Sequence, residues 1–276
     1  MTSEISPDLH WCCAIAERAG RAILAVYGGA FSTHRKADDS PVTEADLRAD
    51  ALIREALGEA FPGVAVWSEE SGDGQPASTE TSPSGPFFLV DPLDGTKEFV
   101  KRNGEFTVNI AWIAAGRAQA GVVHAPALGV TWWGAPGQGA WRRQAGGPAE
   151  PVQVPAGPGA GPLRVLASRS HADGRLDDWI GALGRPVDIL HAGSSLKFCR
   201  IAEGQADLYP RFGPTSQWDT AAGQAVLEGA GGVVTDLDGQ PLRYGRDRPV
   251  INPDFVAARA LSLWRPSAPA TSRPRS

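Results

Sequence analysis

The run Phe87-Phe-Leu-Val90 passes without a polar residue into Asp91-Pro-Leu-Asp94-Gly-Thr96, and no other segment limits the possible folds as much. An all-apolar run of this kind reads as a strand with a buried end, and covering it demands a sizeable core. At 276 residues, 42% of them hydrophobic, the chain can supply one, either as one large α/β unit or as two small intimate lobes. The strand then delivers two carboxylates to its buried end, where unpaired charge is costly. Asp, Pro and Gly also favour tight turns for backbone reasons of their own, and that reading stays open for this short stretch taken alone. A cation would relieve the carboxylates. Magnesium prefers hard oxygen ligands and binds through one or two carboxylates plus a substrate phosphate, so Asp91, Asp94 and the acids of Ser68-Glu69-Glu70 suit a two-ion site.

Around this strand the periodicity alternates between helix and sheet. Ser6-Pro7 offers a cap and a first-turn proline, and apolar residues from Leu9 to Val26 follow at helical spacing until Gly28-Gly29. Thr43 with Asp46 three residues on has the form of a capping box, opening a helix that runs to about Gly58. Strands are expected at 64–67, 106–114, 119–124, 129–133 and 139–142, joined by Gly/Pro turns as a meander. The segment Pro155-Ala-Gly-Pro-Gly-Ala-Gly-Pro162 holds neither helix nor central strand and marks the best boundary. Beyond it, strands at 163–167, 187–190, 206–209 and 232–235 alternate with helices near 173–183, 195–203 and 219–229. The expected organisation is an α+β lobe over 1–155, an α/β lobe over 162–265 and a disordered tail over 266–276, a layered mixed α/β fold overall.

A formal net charge of −5 argues against a nucleic-acid footprint, which needs clustered Lys and Arg to release counterions. That balance also disfavours a two-metal exonuclease. Cys12, Cys13 and Cys199 give neither a disulfide framework nor a CxxC metal site. The longest apolar run, near Val108 to Ala115, is far below a membrane span, so the chain is expected in the cytoplasm. Asp219, in Trp218-Asp-Thr-Ala-Ala-Gly223, has a structural alternative as a helix cap. So has Asp46 in its capping box.

Trp67-Ser-Glu-Glu-Ser71, Asp91-Pro-Leu-Asp-Gly-Thr96 and Trp218-Asp-Thr-Ala-Ala-Gly223 resemble the three signatures of the inositol-monophosphatase superfamily. The longer stretches at 36–46, 91–110, 193–199 and 208–215 resemble its bisphosphate-nucleotidase branch in particular. The resemblance implies a layered αβαβα sugar-phosphatase fold and two or three Mg²⁺ ions. It implies that Glu69, Asp91, Asp94, Asp219 and the Leu93 carbonyl hold the metal, and that Asp46 and Thr96 orient and deprotonate the attacking water. Glu70 would stand in a supporting shell or near a third ion, and Gly95 and Thr96 would present backbone N–H groups to the scissile phosphate. Several of these metal residues would also touch the substrate.

The implied reaction removes the 3′-phosphate of adenosine 3′,5′-bisphosphate by in-line displacement, with lithium as an inhibitor. The sulfated analogue of that nucleotide is a second expected substrate, within sulfur metabolism. Peripheral association with the inner membrane face is also compatible with the family. His171, Ser194, Lys197 and Arg211 match family positions for the nucleotide and its second phosphate. An inositol monophosphatase or sugar-bisphosphate phosphatase is the alternative, and it has less reason to need the Lys197/Arg211 pair. A non-catalytic metal and nucleotide sensor is an alternative of another class, and it would be expected to lack a metal ligand or the Asp/Thr pair. This chain lacks none of them.

Overall fold

A computed structural model describes residues 7–31, 33–35, 41–71, 85–157, 161–168 and 174–265. Helix α1 (Leu9–Tyr27) is capped by Asp8, whose carboxylate accepts the His10 N–H at 2.8 Å. The cap thus falls two residues later than Ser6, because an Asp beyond Pro7 reaches the free N–H groups of the first turn. Short strands β1 (Thr33–Arg35) and β2 (Pro41–Thr43) pair antiparallel and lead into α2 (Glu44–Ala60). Thr43 and Asp46 close the expected capping box, and the helix extends past Gly58 to Ala60.

Seven strands form the first sheet, in the order β3 (Ala65–Ser68), β4 (Phe87–Asp94), β5 (Thr107–Ala114), β6 (Arg117–Ala125), β7 (Val130–Ala135), β8 (Gly139–Gln144) and β9 (Ala149–Val152). Only β3 and β4 run parallel; the rest is the anticipated meander. Period-2 alternation splits its side chains between two cores. Phe88, Val90, Val108, Ile110, Trp112 and Val122 face α1 and α2. Phe87, Leu89, Ala111, Ile113 and Val123 face the other way, into a core shared with the second half of the chain.

A short helix α3 (Thr96–Val100) follows β4. The second sheet has the order β11-β10-β12-β14-β13, built from β10 (Leu163–Ser168), β11 (Val187–Ala192), β12 (Leu208–Arg211), β13 (Val233–Asp236) and β14 (Phe255–Ala258). Helices α5 (Leu196–Ala202) and α6 (Gln217–Gly229) lie between the two sheets, with Phe198, Cys199, Ala221, Ala225 and Val226 in the shared core. Helix α4 (Gly174–Ala182) covers the outer face through Trp179 and Ile180, against Leu163, Val165, Leu208 and Val256. The layers therefore read α-β-α-β-α.

Helix α6 comes unusually close to the first sheet. A Cβ at Gly121 of β6 would lie 2.5 Å from the Ala222 carbonyl oxygen, and one at Gly134 of β7 would lie 3.1 Å from Val226 Cα. Both positions require glycine for this contact. Among the described residues no helix is long and apolar enough to cross a membrane.

Candidate active site

Strands β3 and β4 end side by side, Ser68 registering with Val90, and the Glu69 N–H donates to the Val90 carbonyl at 3.1 Å. Glu69 is thus carried to the same sheet edge as Asp91. The β4–β5 register then shifts between Asp91 and Asp94, with Asp91 opposite Asn109 and Asp94 opposite Thr107. Such a bulge tolerates Pro92, which has no N–H for the ladder. The Leu93 N–H turns back to Asp91 Oδ1 at 3.1 Å. Gly95 then adopts φ 91°, a left-handed conformation that a residue with Cβ enters at a cost, and α3 begins directly after it.

Asp219 comes from the first turn of α6, where one oxygen accepts the Ser216 N–H at 2.9 Å. Its helix position brings it to the end of β4: ligand oxygens of Asp91, Asp94 and Asp219 all lie within 4.8 Å of one another. Burial first, then the charges of Glu69, Asp94 and Asp219, hold the Asp91 carboxyl well above the usual range. Burial, then Asp94 and Glu69, pushes Asp219 up to about 8. Asp94 is also raised by burial, against the pull of Lys197, Asn109 and Ser195. Three clustered carboxyls with raised pKa, all hard oxygen donors, fit a divalent cation of the magnesium or manganese type. A positive ion at this point would reverse the repulsion that raises Asp91 and Asp219.

These residues line a cleft of about 240 Å³. Of the residues expected at the site, Glu69, Asp91, Leu93, Asp94, Gly95, Thr96, Ser194, Lys197, Arg211 and Asp219 line it. Asp46 stands behind Thr96. Its Oδ2 accepts the Thr43 N–H and hydroxyl at 2.8 and 2.7 Å, and its Oδ1 accepts the Thr96 hydroxyl at 3.2 Å. Both acids with a capping alternative therefore cap and also reach the cleft or its wall. Glu70 follows Glu69 in the turn after β3 but is not part of the cleft lining. His171 lies outside the described residues.

Three of the residues expected to contact substrate are held by partners within the chain. Ser194 sits at φ 49°, a strained conformation for a residue with Cβ. Its hydroxyl lies 2.9 Å from the Asp94 carbonyl and 2.8 Å from the Glu105 carbonyl. One hydroxyl proton serves both, so the side chain ties the second half of the chain to the Asp94 turn, and no free hydroxyl hydrogen is left for a substrate. Lys197 is 6% exposed and donates to the Ser194 and Ala192 carbonyls at 2.7 and 3.4 Å, with its ammonium 5.0 Å from the Tyr209 ring centroid. Burial pushes this amine down to about 8, against the nearby Asp94 carboxylate. Arg211 is braced by Thr215 Oγ1 at 2.5 Å and the Pro214 carbonyl at 2.7 Å. Two cations thus stand in the wall of the cleft that carries the acids. The sequence did not single out Thr107, Asn109 or Ser195, all buried and all bonded to Asp94.

The sequence model of the inositol monophosphatase family matches residues 6–265. The chain is 48% identical to the 3′(2′),5′-bisphosphate nucleotidase CysQ of Salmonella typhimurium over 249 residues, 90% of this chain and 98% of that protein. It is 47% identical to the protein of the same name from Escherichia coli K12, with the same coverage. Among solved structures, CysQ from Bacteroides thetaiotaomicron superposes with a TM-score of 0.75 at 34% identity, covering 91% of this chain and 97% of that one. An inositol monophosphatase from Anabaena superposes with a TM-score of 0.71 at 25% identity, covering 92% and 91%. With a match spanning nearly the whole chain, an αβαβα architecture shared with these structures and an acid cluster at the end of β4, this chain belongs to the inositol monophosphatase family.

Proposed function

We propose that this chain is a Mg²⁺-dependent 3′(2′),5′-bisphosphate nucleotidase that removes the 3′-phosphate of adenosine 3′,5′-bisphosphate, and also hydrolyses its sulfated analogue. The observation that carries this reading is the near-full-length identity of 47–48% to proteins bearing that name. The cleft supports it: carboxylates for metal and two buried or braced cations for a second phosphate share one wall.

In this reading Glu69, Asp91, Asp94, Asp219 and the Leu93 carbonyl hold two or three magnesium ions, with Glu70 supporting them. When bound, the metal supplies Lewis acidity that neutralises charge on the phosphoryl oxygens. Asp46 Oδ1 accepts the Thr96 hydroxyl hydrogen, which leaves the Thr96 oxygen as an acceptor facing the cleft. A water held there attacks phosphorus in line with the departing ribose O3′: its proton passes through Thr96 Oγ1 to Asp46 Oδ1, the bond from phosphorus to O3′ breaks, and O3′ takes a proton from solvent. The Gly95 and Thr96 N–H groups, at the start of α3, orient the scissile phosphate. Lys197, Arg211 and His171 receive the other phosphate and the nucleoside, and Ser194 shapes their loop.

Phosphate release from adenosine 3′,5′-bisphosphate, inositol 1-phosphate and fructose 1,6-bisphosphate, each with magnesium, EDTA or added lithium, tests the reading. Preference for the adenosine compound, abolished by EDTA and depressed by lithium, is expected. Preference for a sugar phosphate would overturn the roles of Lys197 and Arg211, and no release from any of the three would favour a sensor.

A further inference from the structure

Asp94 Oδ2 is surrounded by three donors. The Ser195 N–H reaches it at 2.7 Å, the Asn109 amide at 3.3 Å and the Thr107 hydroxyl at 3.3 Å. Thr107, Asn109 and Ser195 are 0%, 1% and 1% exposed, so water does not substitute for these bonds. The orientation of the Asn109 amide follows from chemistry: an ionised carboxylate oxygen only accepts, so the NH₂ group points at Asp94 and the amide oxygen at the Thr107 hydroxyl, 3.1 Å away. The second hydrogen of the same NH₂ goes to Ser195 Oγ at 3.0 Å, and Ser195 Oγ passes its own proton to the Asp219 carbonyl at 2.7 Å. The Asn109 amide hydrogens and the Ser195 hydroxyl hydrogen each have one direction, while the single Thr107 hydroxyl hydrogen is shared between Asp94 Oδ2 and the Asn109 amide oxygen. Such a run polarises its members and rigidifies what it joins.

We infer that Asn109 and Ser195 are positioning residues that fix Asp94 and Asp219 relative to each other, so that a divalent cation meets a preformed site with Asp94 offering Oδ1 alone. The two acids come from distant parts of the chain, Asp94 from the end of β4 and Asp219 from the first turn of α6. Asn109 on β5 and Ser195 before α5 form the bridge between them. The Ser195 N–H and the Asn109 amide occupy Oδ2, with the Thr107 hydroxyl also within reach of it, so a cation finds Oδ1 free of them. The Ser195 hydroxyl donates to the Asp219 carbonyl at 2.7 Å and so ties the first turn of α6 to the same residue. The inference rests on the metal reading above and adds to it two residues that touch neither metal nor phosphate.

The test is Mn²⁺ binding by the full-length chain, followed by electron paramagnetic resonance, for the unaltered protein and for Asn109→Leu, Ser195→Ala and Ser195→Thr. Partners that orient metal ligands typically contribute roughly 10–100-fold in affinity, and a loss in that range is expected for Asn109→Leu, with a smaller loss for Ser195→Ala. Ser195→Thr keeps the hydroxyl and is expected to restore affinity. The magnesium concentration for half-maximal phosphate release should rise in parallel, with kcat largely recovered at saturating metal. Melting in EDTA separates a folding defect from a metal defect, and Ser195→Ala carries the test if Asn109→Leu does not fold. Unchanged Mn²⁺ affinity in the folded variants would overturn the inference while leaving the metal reading intact. Failure of the unaltered chain to bind Mn²⁺ would overturn both.

Discussion

At the start of α2, Asp46 accepts the cap residue's N–H at 2.8 Å; at the start of α6, Asp219 does the same at 2.9 Å. The local device is one, but its surroundings differ. Thr43 adds its hydroxyl to the same Asp46 oxygen, and Thr96 occupies the other, so Asp46 is enclosed by donors. Asp219 instead meets Asp91 and Asp94, with Glu69 close enough to raise its pKa. A carboxylate ringed by donors is prepared to orient a hydroxyl and take a proton. One ringed by other carboxylates is prepared for a cation. The third position of a helix can therefore serve either task, and neighbours from distant strands decide which.

Neutralising each acid should break this comparison most clearly. Asp219→Asn keeps an oxygen for the Ser216 N–H but removes a charge from the cluster; turnover is expected to fall below detection and Mn²⁺ binding to weaken sharply. Measurable turnover with normal metal dependence would remove Asp219 from the site. Asp46→Asn keeps the size and much of the cap, so metal binding should persist while kcat drops by roughly 10²–10⁴-fold, the usual contribution of general-base catalysis. Equal metal defects in the two variants would erase the distinction drawn here.

Lys197→Ala should act on substrate rather than chemistry. Losing a charged hydrogen bond worth about 1.5–3 kcal/mol raises KM for the bisphosphate by roughly 10–100-fold, with little change for inositol 1-phosphate. Parallel changes for both substrates would reduce Lys197 to a brace for the 192–194 carbonyls.

Acidity sharpens the contrast further. Asp219 has its pKa raised to about 8, so between its ordinary value near 3.8 and about 8 the metal-free folded chain holds a proton that the unfolded chain releases. A cation must displace that proton at low pH and need not above pH 8. The rise in melting temperature caused by magnesium should therefore grow between pH 6 and pH 8, and a flat profile would contradict the raised value. The smallest effect belongs to the caps: Thr43→Ala should cost about 1 kcal/mol of stability, and should also lower kcat because it loosens Asp46.

Much of this was legible in the chain. Thr43 and Asp46 announced their capping box by spacing, β4 by its unbroken apolar run, and the meander by turn residues at intervals. Strands β1, β2, β9 and β14 were not foreseen, the last two for opposite reasons. Strand β9 is an exposed edge containing Pro151, whereas β14 (Phe255–Ala258) is buried on both faces and too short to show alternation. Asp91 and Asp94 were readable because charge at the end of a buried strand is rare, whereas the metal role of Asp219 and the substrate roles of Lys197 and Arg211 were implied only by the resemblance of their local motifs. Asn109 and Ser195 were not readable: in a sequence they look like an ordinary strand residue and an ordinary turn residue, and only the meeting of two distant segments gives them a role. The direction of the Ser194 hydroxyl was unreadable for the same reason.

The close approach of α6 to the first sheet bears on how mutations in this chain would be recognised. Gly121 and Gly134 set the height at which the helix rests, and Asp219 rides at its end. Adding one methyl group at Gly121 would lift the helix and carry that carboxylate out of register with Asp91 and Asp94. A screen would score such a variant as an enzyme defect, although the altered atom belongs to the packing of the interior.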